Sequence, residues 1–256
     1  MLILLPPSET KRPGGIELPL DLQNLTYPSL VSKRRVLVRS LQSLAKHPDA
    51  MMAALKLGRT QSGEVERNRM LATSATMPAI DRYTGVLYDA LDSGSLTPAE
   101  RDWAGRNVRV HSALLGPVGA LDLIPAYRLS CDSKLPDLTL KKHWAAAVSG
   151  VLADADGLLL DLRSNGYVAL GPVPAGPDAA FLRVVTETID GQTRALNHFN
   201  KKAKGHFTRA LIRHGESFDT VAELADWAAG AGFVVRPGRA GELDLVVPAE
   251  LLANRV

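Results

Sequence analysis

The chain opens with Leu2-Ile3-Leu4-Leu5, and Pro6-Pro7 end this apolar run abruptly. A strand made of these residues is apolar on both faces, which is typical of a central strand covered on both sides of its sheet. A second run, Leu158-Leu159-Leu160-Asp161-Leu162, has the same character and leads into Arg163-Ser164-Asn165. Helical patterns alternate with these runs, so the sequence predicts a mixed α/β (α+β) fold with a central sheet and flanking helices.

The composition is that of a globular protein with a sizeable core. The 256 residues are 46% apolar and 22% charged, with a net charge of +3, and they contain no repeat or obvious linker. We therefore predict one domain over residues 1–256, although a chain of this length could also form two small ones. Cys131 is the only cysteine, which excludes an intrachain disulfide and suits a reducing compartment.

The sequence also predicts a cytoplasmic location and no contact with a membrane. The apolar run at Leu2–Leu5 is too short for a signal peptide and has no basic residues before it. No stretch approaches the roughly 18 uncharged apolar residues that a membrane span needs.

Residues 29–73 are predicted to be mostly helical. Ser29 is the expected cap of a first helix, a second helix is expected over 49–57 with Asp49 as its cap, and a third begins near Glu64. The turn at 58–63 contains glycine at both ends, so the second and third helices form a helical hairpin. Such a hairpin can present N–H groups and basic side chains to a phosphate, although most are only structural.

Other elements follow from local patterns. Thr97-Pro98-Ala99-Glu100 is a strong helix start, with a Thr cap and an acid at the third helical position. Residues 116–128 are expected to be irregular because they are rich in Gly and Pro. The predicted strands are 108–113 and 181–187, and the predicted helices are 139–153 and 194–214.

The predicted helix 194–214 has a basic stripe. Its apolar residues fall on one side, and no acid occurs between Arg194 and Arg213. A solvated face usually carries charges of both signs, so this stripe suggests an anionic partner; the alternative is that its cations pair with acids from other elements. The basic residues are Lys201, Lys202, Arg209 and Arg213, with Lys204 at the border of the apolar side.

Polar residues that follow the two buried strands are candidate ligand groups, because ligands of α/β proteins bind at the carboxyl ends of strands. Ser8 and Lys11 follow the first strand, and Arg163-Ser164-Asn165 follow the second. Arg128, next to Tyr127, can hold a phosphate or stack on a base, or it can anchor its loop to a carboxylate such as Asp122. Arginine, hydroxyl and amide groups all bind phosphate or carboxylate oxygens.

Metal and cofactor motifs are absent from the sequence. His198, His206 and His214 are eight residues apart, which spreads them around a helix instead of stacking them as ligands. There is no P-loop, dinucleotide or nucleophile-elbow motif, so no cofactor and no metal are predicted. Cys131 has no resolving partner and is not expected to sense peroxide.

Five stretches, in order along the chain, together resemble the YaaA family of peroxide-stress proteins. The resemblance departs at Gly166, where the family commonly has an acid, at Pro117–Ala120, and at Lys204, where arginine is common. The chain therefore resembles a divergent, actinobacterial-type member. The matching stretches are Leu2–Lys11, Tyr83–Tyr88, Val110–Leu129, Leu160–Tyr167 and Asn200–Gly205.

The resemblance implies a compact α/β globule with a positively charged cleft and a helix-hairpin-helix element, which would fall at residues 49–73. It also implies a role in peroxide stress and binding of double-stranded DNA, for which a monomer and little sequence specificity are expected. The residues proposed for contact with DNA or another polyanion are Ser8, Lys11, Arg128, Arg163, Ser164, Asn165, Lys201, Lys202, Lys204 and Arg209.

The second hypothesis is an enzyme that acts on a phosphate- or carboxylate-bearing small molecule in the same cleft. The polar residues at the strand ends are more varied than phosphate tethering needs. Lys11 or Lys202 would be the nucleophile or general base if burial lowered its pKa. Whether the chain is an enzyme stays open at this point.

Overall fold

The computed structural model describes residues 1–187, 193–195 and 198–248, with side-chain surroundings for 1–186 and 200–248. The strands are β1 (Leu2–Leu5), β2 (Thr76–Pro78), β3 (Val108–Ser112), β4 (Gly116–Gly119), β5 (Leu123–Pro125), β6 (Leu159–Asp161), β7 (Ala179–Glu187), β8 (Thr193–Ala195), β9 (Val234–Pro237) and β10 (Glu242–Val246). The helices are α1 (Val31–Leu44), α2 (Pro48–Ala54), α3 (Gly63–Arg69), α4 (Ala79–Arg82), α5 (Val86–Leu91), α6 (Pro98–Asn107), α7 (Leu140–Ala153), α8 (Asn165–Val168), α9 (His198–His214) and α10 (Val221–Gly230).

The main sheet has the strand order β4-β3-β1-β6-β7-β10-β9, and β8 adds to it by pairing with β7. From β3 to β10 all neighbours are parallel, whereas β4 and β9 run antiparallel at the two edges. β1 lies between β3 and β6, and each of its four residues is buried. The predictions of a mixed α/β fold and of a central strand at Leu2–Leu5 are therefore confirmed.

The parallel arrangement brings distant loops together. β1, β3 and β6 are parallel neighbours, so their carboxyl ends lie at the same side of the sheet. We call this side the carboxyl edge; it consists of residues 6–11, 112–115 and 162–167. Backbone bridges from Lys11 to Tyr83 and from Ile16 to Thr76 tie the long loop after β1 to the rest of the structure.

Residues 29–73 are helical as predicted, with different boundaries. Ser29 lies inside a 3-10 turn, Pro28–Leu30, and does not cap α1. Asp49 is not a cap either, because α2 already begins at Pro48, whose fixed φ suits the first helical position. A 3-10 turn, Arg59–Gln61, separates α2 from α3, so the order of elements is that of a helical hairpin. That this hairpin is a DNA-binding helix-hairpin-helix element stays a prediction.

Two further boundaries differ from the predictions because of strand pairing. Residues 116–128 are not irregular, since β4 pairs with β3 and β5 pairs with β2. The predicted helix 194–214 starts only at His198, and residues 196–197 lie outside the described residues. Arg194 belongs to β8, opposite Thr186 of β7. In both segments the structure is determined by backbone hydrogen bonds to a neighbouring strand, and the pattern of residues within the segment does not reveal such bonds.

A continuous cluster of buried apolar side chains extends from β1 to β10 and includes residues of α1, α7 and α9. This continuity supports one domain, although the extent 1–256 stays a prediction. Within the described ranges, every helix is too short or too polar to cross a membrane.

Candidate anion-binding site

Lys11 is a buried cation of the carboxyl edge, with 8% of its surface exposed. Its Nζ donates hydrogen bonds to the carbonyl oxygens of Ser8 (3.0 Å) and Glu9 (3.3 Å). The same nitrogen lies 4.1 Å from the ring centroid of Tyr127 and 5.2 Å from that of Tyr83. Burial lowers the pKa of Lys11 to about 7. A substantial fraction of this amine is therefore unprotonated and nucleophilic near neutral pH.

A chain of buried hydroxyl groups lies beneath Lys11. Ser112 Oγ accepts hydrogen bonds from the N–H groups of Leu114 (3.1 Å) and Leu115 (2.9 Å), which occupy both of its lone pairs. Its proton is therefore donated to Tyr127 Oη at 2.7 Å, and Tyr127 Oη shares a second hydrogen bond, 2.8 Å long, with Tyr83 Oη. Burial raises the pKa of Tyr127 to about 12, so this chain consists of neutral hydroxyl groups.

Arg128 borders the same site and is held firmly by its backbone. Its N–H donates to Asn68 Oδ1 (2.8 Å), and its carbonyl oxygen accepts from Asn68 Nδ2 (2.7 Å). Its guanidinium forms an ion pair with Glu9 at 2.7 Å. The alternative in which Arg128 anchors to Asp122 is wrong, because Asp122 instead accepts hydrogen bonds from Thr26 and Gly119.

The helical hairpin α2–α3 forms a border of this site. Asn68 of α3 holds Arg128, and the neighbouring Glu64 and Arg67 form an ion pair of 2.6 Å whose charges both act on Lys11. At the other helix, the backbone N–H of Lys134 donates to Ala54 at the end of α2. The hairpin thus packs against the loop that carries Arg128.

Arg163 is fully buried below the carboxyl edge. Its Nε and Nη2 donate to the two carboxylate oxygens of Asp161 (2.8 and 2.6 Å), and its Nη1 donates to His111 Nδ1 at 2.6 Å. Burial, assisted by the charge of Arg163, lowers the pKa of His111 well below its usual range, so the imidazole is neutral and accepts this hydrogen bond. Every nitrogen of the guanidinium makes one hydrogen bond in this network, and none of the side chain is exposed, so Arg163 is a buried structural cation.

Ser164 and Asn165 are exposed at the carboxyl edge, where their side chains can reach a ligand. The next residue is Gly166, and a Cβ at this position would lie 2.7 Å from Cys131 Sγ. The cysteine therefore fills the space that a side chain at position 166 would need. Burial raises the pKa of Cys131, which favours the protonated thiol over the more nucleophilic thiolate.

The cations of α9 divide into two groups. Lys204 is buried and donates from Nζ to the carbonyl oxygen of Leu162 at 2.9 Å, and burial lowers its pKa to about 8. Arg209 donates to the carbonyl oxygens of Leu91 and Asp92 at the end of α5, which makes it a cap for that helix. Arg209 is therefore bound to another element of the protein and does not belong to an open basic stripe.

Lys201 and Lys202 form the other group. Both are exposed at the start of α9, and neither has a hydrogen bond or ion pair with the residues whose side chains are described. Lys201 precedes Lys204 by three residues, so the two lie on the same side of the helix. Because Lys204 reaches Leu162, this side of α9 borders the carboxyl edge.

The structure thus brings together Ser8, Lys11 and Arg128, whereas Arg163 and Lys204 are buried with other partners, namely Asp161 and His111 for Arg163 and the carbonyl oxygen of Leu162 for Lys204. Glu9 belongs to the polar loop that the sequence indicated after the first strand, but sequence reasoning missed two other groups that organise this site, namely Asn68 and Ser112. The spacing of Asn68, 60 residues before Arg128, gives no local signal of their contact. Within residues 1–186 and 200–248, no cluster of three or more His, Cys, Asp or Glu side chains could hold a metal ion.

Comparison with known proteins places this site in a family. The family description "Peroxide stress protein YaaA" matches residues 1–238. A UPF0246 protein of Corynebacterium efficiens is 42% identical over 254 residues, which cover 96% of this chain and all of the relative. A UPF0246 protein of Streptomyces coelicolor is 39% identical over 257 residues, covering 96% of this chain and 98% of the relative. The match over nearly the whole chain and the likeness to actinobacterial relatives show that this chain belongs to the YaaA family of peroxide stress proteins.

Proposed function

We propose that this YaaA-family protein acts in peroxide stress as a cytoplasmic monomer that binds double-stranded DNA with little sequence specificity. The observation that carries the proposal is a pair of exposed lysines at the start of α9, Lys201 and Lys202, which have no partner among the residues whose side chains are described; Lys201 lies on the side of the helix that borders the carboxyl edge. Exposed lysines neutralise backbone phosphates without reading bases, which gives affinity but little specificity. The hairpin α2–α3 borders the same region through Asn68 and Arg128, where it can add backbone contacts.

Titration of duplex DNA over a range of salt concentrations tests this proposal. The logarithm of the affinity falls with the logarithm of the salt concentration, and each lost phosphate contact makes this slope less steep by about 0.9. Lys201→Ala combined with Lys202→Ala should therefore make the slope less steep by about 2. The binding of duplexes with unrelated sequences should weaken equally. Lys141→Ala with Lys142→Ala, an exposed adjacent pair on α7, is the matched control and should leave the slope unchanged.

Two results would refute DNA binding in this form. One is no binding of duplex DNA by the wild-type protein at low salt. The other is equal weakening by the α9 pair and by the α7 pair, which would indicate a general effect of net charge instead of a contact.

Lys11 favours a second candidate function, which is catalysis on a phosphate- or carboxylate-bearing small molecule. Tethering of a polyanion needs cations that stay charged, whereas the pKa of Lys11 lies at about 7 because of burial. An amine of this kind is suited to act as a nucleophile or general base. Lys202 is the less suitable candidate because it is exposed on α9.

Pyridoxal 5′-phosphate is a suitable probe for this second function, since it carries both an aldehyde and a phosphate. After a short incubation at pH 7.5, borohydride reduction fixes any imine, and peptide mass spectrometry locates it. We expect Lys11 to be labelled before Lys202, and Lys11→Arg to abolish the fast phase. Labelling of Lys11 no faster than that of exposed lysines would show that its amine is only structural.

A further inference from the structure

Arg128 presents a fixed guanidinium to the carboxyl edge. Asn68, itself fully buried, bonds to both the N–H and the carbonyl oxygen of Arg128, so the backbone of this residue is held at two points. Only 10% of the Arg128 side chain is exposed. A cation held in this way is preorganised for an anion, because little conformational freedom is lost when the anion binds.

Glu9, the present partner of Arg128, is held far less firmly. Its side chain is 62% exposed, and its carboxylate has no other hydrogen bond or ion pair with the described residues. Glu9 is the partner open to solvent, so water competes with the largely buried Arg128 for its carboxylate; ion pairs open to solvent typically contribute about 1 kcal/mol or less. The carboxylate can therefore leave Arg128 at small cost.

The surrounding charges favour an anion in the place of Glu9. Arg128, Arg67, Glu64 and Glu9 all act electrostatically on Lys11. Glu64 is paired with Arg67 at 2.6 Å and acts on Lys11 more strongly than Glu9 does, whereas Glu9 is the carboxylate that contacts Arg128. When Glu9 leaves, Arg128 keeps an uncompensated positive charge, and Lys11, which has a pKa of about 7, supplies a second one when it takes up a proton. A phosphate dianion matches this charge, and the fork of Arg128 matches its oxygens.

We infer that Arg128 and Lys11 form a subsite for a phosphate group, and that Glu9 occupies this subsite in the free protein and leaves it when the phosphate binds. The inference rests on the proposed anion binding of the carboxyl edge and identifies where a phosphate sits. It makes Glu9 an internal competitor of the ligand.

Calorimetric titration with inorganic pyrophosphate tests this competition. Glu9→Gln should bind pyrophosphate up to about fivefold more tightly than wild type, the factor that corresponds to an exposed ion pair of up to about 1 kcal/mol. Glu66→Gln is the matched control, because Glu66 is 58% exposed and pairs with Arg69 on α3. A gain in affinity cannot result from misfolding. The double variant Glu9→Gln with Arg128→Gln should lose the gain.

Three outcomes would overturn the inference. The first is equal tightening by Glu9→Gln and Glu66→Gln, the second is a gain that survives Arg128→Gln, and the third is no binding by Glu9→Gln at millimolar pyrophosphate. Duplex DNA titrated in parallel separates this inference from the proposed function. DNA binding without the Glu9→Gln effect refutes only the subsite, whereas the effect without DNA binding refutes only the proposed ligand.

Discussion

Gly205 provides a stringent test of how α9 packs. This residue lies where α9 crosses α5, and a Cβ at this position would lie 2.8 Å from Ala90 Cβ and closer still to the carbonyl oxygen of Leu87. Optimal carbon contacts are about 3.5–4.0 Å, so Gly205→Ala must push the two helices apart by about 1 Å. That movement would also strain the hydrogen bond from Lys204 to Leu162.

The expected magnitude follows from two opposing terms. Replacement of glycine by alanine inside a helix ordinarily stabilises a protein by about 1 kcal/mol. Overpacking of a rigid contact costs about 1–3 kcal/mol, and the contact with a backbone oxygen puts this case at the upper end. We therefore expect Gly205→Ala to lower the free energy of unfolding by about 2 kcal/mol.

Urea unfolding followed by circular dichroism measures this change. Gly150→Ala, inside α7, is the matched control, because a Cβ there meets nothing within 4 Å. The control should raise the free energy of unfolding by up to about 1 kcal/mol. If Gly205→Ala proved as stable as Gly150→Ala, the close approach of α5 and α9 would be refuted.

Three further predictions concern buried polar groups. Arg34→Met removes five hydrogen bonds from a buried guanidinium to backbone carbonyls and should lower the free energy of unfolding by about 3 kcal/mol or more. Arg35→Met, on the exposed face of α1, is the control and should change it by less than about 0.5 kcal/mol. Equal effects of the two variants in urea unfolding would contradict this prediction. Burial lowers the pKa of Lys11 to about 7, so between about pH 7 and 10 the Lys11 amine is protonated in the unfolded chain but not in the folded protein, and the free energy of unfolding should rise with pH. Lys11→Met should remove up to about 1.4 kcal/mol per pH unit of this rise. Parallel curves of stability against pH for the variant and the wild type would refute the lowered pKa. Burial raises the pKa of Cys131, so iodoacetamide at pH 7 should alkylate it more slowly than free cysteine as long as the protein is folded. Unfolding in urea should remove this difference. An equal rate in the folded protein would contradict the prediction.

Short-range patterns predicted much of the fold. The apolar run at Leu2–Leu5 is a buried central strand, and Thr97 and Glu100 form the predicted capping box at the start of α6. Helix α7 starts one residue after its predicted position and ends at the predicted one. These features depend on residues within a few positions of each other, so the sequence contains the whole of the physical cause.

The pairing of β8 with β7 could not be predicted in this way. The segment around Arg194 has a helical sequence pattern, yet residues 193–195 pair with β7 as an antiparallel strand. Strand pairing depends on which backbone lies alongside, and this is a property of the assembled sheet.

The candidate site shows the same division. By itself the sequence determined the residue types near the strand ends, because Arg163 directly follows one run that must be buried and Lys11 lies in the loop after the other. Only the tertiary structure decided that Asp161 and His111 engage Arg163, whereas Arg128 keeps one exposed and replaceable partner. The physical reason is that burial and long-range hydrogen bonds determine whether a cation is satisfied inside the protein or available to a ligand, and both arise only when distant segments pack together.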